Sequence, residues 1–309
     1  MSDLCVLFPG QGSQEKGMGR DLAETRDEAR DLWILAEKES GLPLRGIYWD
    51  GEEADMAETS ALQPALTVVN LSIWLAARGR LRPAAAAGHS LGEFAALAAA
   101  GILSVEDVVR AVVLRGKLMS QAGGEGHGMA AVVKLPQAEV EAVTAQALAD
   151  TGRELRIANY NSPAQFVLSG EKPALDRAAE LVKERKGRAI PLAVSGAFHS
   201  PLMAEAAAAF AKLLDKLHWR APELAVYHNA TARPEPSAAG AKKAVTAQMT
   251  SSVLWVQTMN NLKDAGCRRF LELGPKGVLS KLAKANLEGV EGLEIGAATT
   301  LAEVEALPG

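Results

Sequence analysis

The chain has 309 residues, 48% hydrophobic and 23% charged, which is globular composition and long enough for one large core or a large and a small domain. Disorder is therefore not expected. A net charge of −4 with few aromatic residues argues against nucleic acid as a partner, because phosphate binding needs a concentrated basic face.

The apolar stretches read as broken by Arg, Glu or Lys before the roughly 18 to 20 residues a membrane span requires, and residues 1–10 lack a basic leader. The expectation is a cytoplasmic monomer without a membrane partner. Cys5 and Cys267 are the only cysteines, each in an apolar context, so they read as small core residues and suggest neither a disulfide framework nor a metal site.

In chain order, residues 4–8 predict a short buried strand running into the turn-rich Pro9-Gly10-Gln11-Gly12-Ser13-Gln14. Residues 62–78 predict an apolar helix, 84–87 a short strand, 91–100 an Ala-rich helix and 104–121 an amphipathic helix opened by a Ser104/Asp107 capping box. From 126 to 195 the order changes to strand 129–134, helix 137–149, strands 155–160 and 165–169, helix 173–185 and strand 188–194. That βαββαβ order is ferredoxin-like and interrupts a chain that otherwise alternates strands with helices. Residues 126–195 thus read as a small inserted domain, with 1–125 and 196–309 forming a large α/β domain. Helix 201–217, strand 224–228, helical segments through 265, strand 269–273, the Gly274-Pro275-Lys276-Gly277 turn and a last helix complete it.

Gly88-His89-Ser90-Leu91-Gly92 lies between an apolar strand and a helix-forming run, the setting that gives G-x-S-x-G its meaning as a nucleophile elbow. Flanking glycines permit a sharp turn that projects the Ser90 hydroxyl, while the following amides face a reacting carbonyl. The plainer alternative is a Gly-rich helix start with Ser90 as a cap. A serine nucleophile needs a base. Among five histidines, His89 adjoins the serine, His127 sits in a Gly-rich stretch, His218 ends a helix and His228 ends a strand. His199 differs, because Ser200 and Pro201 make a natural cap and first helical residue after it. The positive end of the helix dipole would keep its imidazole neutral, as a general base requires; a surface histidine beside a cap is the alternative. The Leu91 amide and one from the Gly10-Gln11-Gly12 loop, taken as Gln11, would hold an oxyanion. A phosphate-binding role for that loop fails on spacing, since the third glycine of the fingerprint would fall on Glu15.

Helical phase puts Val105, Val108, Val109, Val112, Val113 and Met119 on one face and Arg115 at its margin. A planar guanidinium there fits a substrate carboxylate, although a structural ion pair or a snorkelling side chain would produce the same pattern.

Taken together, the Pro9–Gln14, Gly88–Glu93 and Ala158-Asn159-Tyr160-Asn161-Ser162-Pro163 motifs, Arg115, Gly196-Ala197-Phe198-His199-Ser200-Pro201 and Gln248-Met249-Thr250-Ser251 resemble the malonyl-CoA:acyl carrier protein transacylase family of bacterial fatty-acid synthesis. The resemblance covers about residues 5 to 285. It implies an α/β-hydrolase-like large domain with an inserted ferredoxin-like domain, and a cleft between them. It implies an S-malonyltransferase with no cofactor, in which Ser90 takes malonyl from malonyl-CoA and yields it to the phosphopantetheine thiol of acyl carrier protein, with His199 as base. The resemblance also places the histidine-orienting backbone carbonyl at Gln248, the malonyl-carboxylate ligand at Arg115, the oxyanion amides at Gln11 and Leu91, and Gln248, Phe198 and Asn159 among the substrate-binding residues. Phe198 resembles the malonyl-selective form of its motif, whose ring leaves little room for a 2-methyl branch. Two segments depart from the pattern. Thr250-Ser251-Ser252-Val253-Leu254-Trp255 stands where relatives often have Thr-Ser-Pro-Val-Arg-Trp, and Gly274-Pro275-Lys276-Gly277 inverts the commoner glycine-lysine order. Acyltransferases of polyketide or malonate-decarboxylase systems share the core chemistry. A serine esterase is disfavoured by Arg115 and by the lack of an acidic triad partner, and a silent scaffold by the complete set of groups.

Overall fold

Residues 2–194 and 196–308 are described by a computed structural model, so Ser195, at the end of the expected insertion, lies outside the described residues. Among the described residues the strands are β1 (Leu4–Phe8), β2 (Ala85–Gly88), β3 (His127–Val133), β4 (Leu155–Ser162), β5 (Gln165–Glu171), β6 (Arg188–Pro191), β7 (Ala225–Tyr227), β8 (Arg269–Leu273) and β9 (Glu294–Ala298). β1 is buried along its whole length, as an unbroken apolar run in a parallel sheet must be. It is the centre of a parallel sheet ordered β7-β2-β1-β8-β9. Side chains alternate across the sheet. Leu4, Val6 and Phe8 enter one core layer with helices Thr59–Ala77 and Val105–Gln121, while Cys5 and Leu7 enter the other, with Cys267 and helices Trp255–Asp264 and Val278–Asn286. Both cysteines are free and buried.

The stretch from β3 to β6 folds into a four-stranded antiparallel sheet ordered β4-β5-β3-β6, the ferredoxin-like order. One face packs against helices Gln137–Thr151 and Lys172–Glu184 around Val132, Val140, Phe166 and Leu181. The other sends Met129, Ala158 and Val167 to the large core, so the two sheets face each other across a cleft. The fold is an α/β-hydrolase-like unit combined with a ferredoxin-like one.

Several expectations are corrected. Helix Thr59–Ala77 starts earlier than residue 62 and contains no charged residue in 19 positions, so the reading that charges break every apolar stretch was wrong. It is long and apolar enough to cross a membrane, and 83% of that stretch is buried inside the fold, as a helix apolar on all sides must be in a core. The Ser104 cap forms, its Oγ accepting from the Asp107 N–H at 3.1 Å, but Asp107 pairs with Arg110 at 3.6 Å, so the capping box is half made. β6 ends at Pro191 and not at 194, which leaves Leu192 and Val194 free to line the cleft. Residues 201–217 split into a single 3₁₀ turn, Pro201–Met203, and helix Ala204–Leu214. The helix after Lys276 is not the last element: β9 and a short helix, Leu301–Glu305, with a true Thr300/Glu303 capping box, follow. Helices Arg20–Thr25 and Asp27–Ser40, unassigned from sequence, cover the first core layer through Leu22, Leu32 and Trp33.

Candidate active site

In an open parallel sheet the free space lies beyond the carboxyl ends of the strands where the order reverses. Here that point is β1, with β2 on one side and β8 on the other. Gln11 follows β1 and Ser90 follows β2. The turn at Ser90 is tight enough to dictate its glycines. A Cβ on Gly92 would sit 1.9 Å from the Phe8 carbonyl oxygen, and one on Gly88 would sit 2.0 Å from the Gly92 backbone. Ser90 itself holds a positive φ of 50°, the left-handed region that costs a non-glycine residue. The strained turn is tied down by Asn229, which accepts from the Ser90 N–H at 2.6 Å and donates to the Gly88 carbonyl at 2.6 Å.

The Ser90 hydroxyl donates to His199 Nε2 at 2.7 Å. His199 Nδ1 lies 3.1 Å from both the Gln248 and the Ser251 carbonyl oxygens. Carbonyls only accept, so Nδ1 carries the proton and Nε2 presents its lone pair to the serine. No carboxylate takes part in this pair. Burial, and after it the positive charge of Arg115, pull the imidazole down to about pKa 3, against the carbonyl hydrogen bonds that favour the charged form. The neutral state expected at a helix terminus is present, with a different cause. A 3₁₀ turn separates the histidine from helix Ala204–Leu214, whereas the residue is 3% exposed and lies beside the Arg115 charge.

Arg115 is not at an apolar margin but 1% exposed. Gly116 explains the depth. A Cβ there would meet the Thr59 carbonyl at 3.0 Å, so helix Val105–Gln121 packs tightly on the start of helix Thr59–Ala77. Nη1 donates to Gln63 Oε1 at 2.8 Å, Nη2 donates to Gln248 Oε1 at 3.0 Å and to Ser90 Oγ at 3.2 Å, and the guanidinium stands 5.5 Å over the Phe94 ring. Nε has no partner. Burial lowers its pKa to about 10, so it stays charged at neutral pH, and among the described residues it forms no ion pair with a carboxylate.

Gln248 stands one layer behind the cleft and does not line it, in contrast to its expected place among the substrate contacts. Its side-chain NH₂ donates to the Ser90 carbonyl at 2.9 Å and to Glu93 Oε2 at 2.7 Å, which turns its Oε1 toward Arg115. Glu93 is wholly buried and also accepts from His228 Nδ1 at 2.7 Å and from the Asn229 N–H at 3.1 Å. Gln63, Glu93, His228 and Asn229 were missed by sequence reasoning. A lone Gln in an uncharged helix and an Asn directly after a strand were the available signals.

Gln11, Leu91, Asn159 and Phe198 all line the same cleft, of about 350 Å³, as Ser90, Arg115 and His199. Neither the Gln11 nor the Leu91 backbone N–H has an acceptor among the described residues. A Cβ on Gly10 would approach the Leu91 nitrogen to 3.6 Å, so the two donor segments lie side by side. Asn159 is bridged to Val253, and Phe198 packs its ring over Gly196. His89 points away from Ser90, as expected, and meets Asn161 Oδ1 at 2.8 Å.

Residues 6–302 match the acyl transferase domain family. The malonyl CoA-acyl carrier protein transacylase of Staphylococcus aureus is 38% identical over 289 residues, covering 92% of each chain. The chain belongs to the malonyl CoA-acyl carrier protein transacylase family. The crystal structure of an acyl carrier protein S-malonyltransferase from Vibrio cholerae superposes with a TM-score of 0.91 at 36% identity, covering 99% of both chains. A malonyl-transacylase solved in complex with its type II PKS acyl-carrier protein gives a TM-score of 0.92 at 33% identity, again over 99% of both.

Proposed function

We propose that this protein is an acyltransferase that moves a malonyl group from coenzyme A to the phosphopantetheine thiol of acyl carrier protein, supplying fatty-acid chain elongation. The observation that carries the reading is the position of Ser90 Oγ, 2.7 Å from His199 Nε2 and 3.2 Å from a buried arginine that forms no ion pair with a carboxylate among the described residues. Nucleophile, base and a cation for the substrate's carboxylate thus converge on one atom.

In the first half-reaction Ser90 Oγ attacks the malonyl thioester carbonyl and its proton passes to His199 Nε2. The oxyanion is held by the Gln11 and Leu91 N–H groups. As the tetrahedral intermediate collapses, the C–S bond breaks and the imidazolium returns its proton to the coenzyme A sulfur, leaving malonyl-Ser90. In the second half the carrier thiol gives its proton to His199, its sulfur attacks the ester carbonyl, and the same proton restores the Ser90 hydroxyl as the C–O bond breaks. Arg115 takes the malonyl carboxylate bidentately, exchanging its contacts with Ser90 and Gln248. Phe198 narrows the acyl end against a 2-methyl branch, and Asn159 lines the wall opposite.

Residues 126–195 serve as an inserted unit closing one side of the cleft on the divided 1–125 and 196–309 unit. We read the protein as a cytoplasmic monomer that engages neither nucleic acid nor membrane. Mass spectrometry after mixing with malonyl-CoA, acetyl-CoA or methylmalonyl-CoA, followed by carrier protein, tests the whole scheme. A malonyl adduct should form, vanish in Ser90→Ala and leave on addition of carrier; an adduct that persists in Ser90→Ala moves the nucleophile elsewhere, and hydrolysis outpacing transfer makes the protein an esterase.

A further inference from the structure

Residues 250–253, which depart from the pattern of relatives at Ser252, carry part of the support for the base. The His199 Nδ1–H is shared between the Gln248 carbonyl, at the end of helix Ala238–Gln248, and the Ser251 carbonyl, in the irregular link to helix Trp255–Asp264. A loop carbonyl is only as fixed as its loop. This loop is held from the other sheet. Arg156, on β4, donates from Nη1 to the Thr250 carbonyl at 2.9 Å and from Nη2 to Ser252 Oγ at 3.1 Å. Ser252 Oγ donates in turn to the Ile157 carbonyl at 2.7 Å. The Val253 N–H donates to the Ala158 carbonyl at 2.7 Å and its carbonyl accepts from the Tyr160 N–H at 3.0 Å, so the loop adds a one-residue parallel bridge to the edge of β4.

The Ser251 carbonyl therefore sits between two points gripped by one planar guanidinium. Arg156 forms no ion pair with a carboxylate among the described residues, and the two hydrogen bonds its guanidinium makes both go to this loop. A fork of fixed geometry holds two acceptors at a fixed separation, which a lysine ammonium does not. A proline at 252 would have no hydroxyl to complete the bridge.

We propose that Arg156 and Ser252 are positioning residues for His199, a strap from the small sheet that fixes the carbonyls which in turn fix the imidazole. This rests on the reading of His199 as the general base. The same strand carries Asn159 and Asn161 in the cleft wall, so the wall that receives the substrate and the support of the base are one element.

The test is a double-mutant cycle on single-turnover malonylation of Ser90, followed by mass spectrometry, in Arg156→Ala, His199→Ala and the double variant, with Ser252→Ala carried through the same cycle. With His199 present, Arg156→Ala should slow malonylation by about tenfold, within the ~10² that a 1 Å misplacement can cost, with KM for malonyl-CoA unchanged. In the His199→Ala background it should change the residual rate by less than about twofold. Arg156→Lys should recover only part of the loss. An equal fold-loss in both backgrounds, or no loss with His199 present, overturns the proposal. Should Arg156→Ala fail to fold, Ser252→Ala removes one hydroxyl, leaves the strand pairing intact and decides by the same criterion. His199→Ala without effect would sink the base assignment itself, whereas a large His199→Ala effect with additive variants sinks the strap alone.

Discussion

Ser90 and His199 both hold left-handed backbone conformations, φ 50° and 57°. Asn229 fastens the serine turn; the carbonyls of 248 and 251 fasten the imidazole. In the proposed reaction Arg115 acts on this pair twice, as the anion site and as a charge that disfavours the imidazolium. Removing it should have two separable effects. In Arg115→Ala, malonyl transfer should fall by roughly a hundredfold, the worth of about 3 kcal/mol for a charge-assisted pair, while acetyl transfer is spared. The lost positive charge should also let the His199 pKa rise from about 3, moving the acid limb of kcat/KM for acetyl transfer to higher pH. Rate measurements with both thioesters across pH decide; equal losses for both substrates would remove the carboxylate clamp.

At the scale of elements, the elbow works because β1, β2 and the helix after Ser90 approach more closely than side chains allow. The neighbours of Gly92 are main-chain atoms of Phe8, at the end of β1, and of Pro9 just after it, which cannot rotate aside. Gly92→Ala should therefore destabilise the fold by about 3 kcal/mol or more and abolish malonylation, as urea denaturation and adduct mass would show. Asn229→Ala strips partners from the Ser90 N–H and the Gly88 carbonyl and should cost about 2 to 4 kcal/mol, each orphaned group contributing about 1 to 2. Stability within about 0.5 kcal/mol of the parent would mean that water replaces the amide, as at a surface position. The motif glycines, the strand before the serine and the amphipathic phase of helix Val105–Gln121 were legible, because each is a local pattern. The depth of Arg115 was not, because it depends on Gly116 meeting a helix about fifty residues earlier in the chain, and β9 was not, because its half-exposed sequence lacks a core strand's apolar run.

For the molecule as a whole, burying a neutral imidazole links the active site to stability. In the unfolded chain the group titrates near 6.5, and in the folded protein near 3. Between those values the unfolded chain binds a proton that the folded one does not, so stability present above pH 6.5 is lost as pH falls. The slope is ~1.4 kcal/mol per pH unit. From pH 7 to 5 the parent should lose about 2 kcal/mol more than His199→Gln, measured by urea denaturation at both values. An equal loss in both proteins would mean that the imidazole charges freely in the folded state.

The sequence alone singled out the three side chains that the fold brings together, since the motif around Ser90, the residues flanking His199 and the phase of Arg115 are short-range patterns that need only the chain's own geometry. It also determined the ferredoxin-like order of the elements from β3 to β6. Tertiary structure decided how those groups behave. The His199 imidazole is neutral chiefly through burial and then through the charge of Arg115, its Nδ1 faces two carbonyls, and among the described residues the arginine is held by Gln63 and Gln248 without a carboxylate partner. Charge, burial and hydrogen-bond direction are properties of what surrounds a group, and for Ser90, His199 and Arg115 the surroundings come from parts of the chain that meet only when it folds.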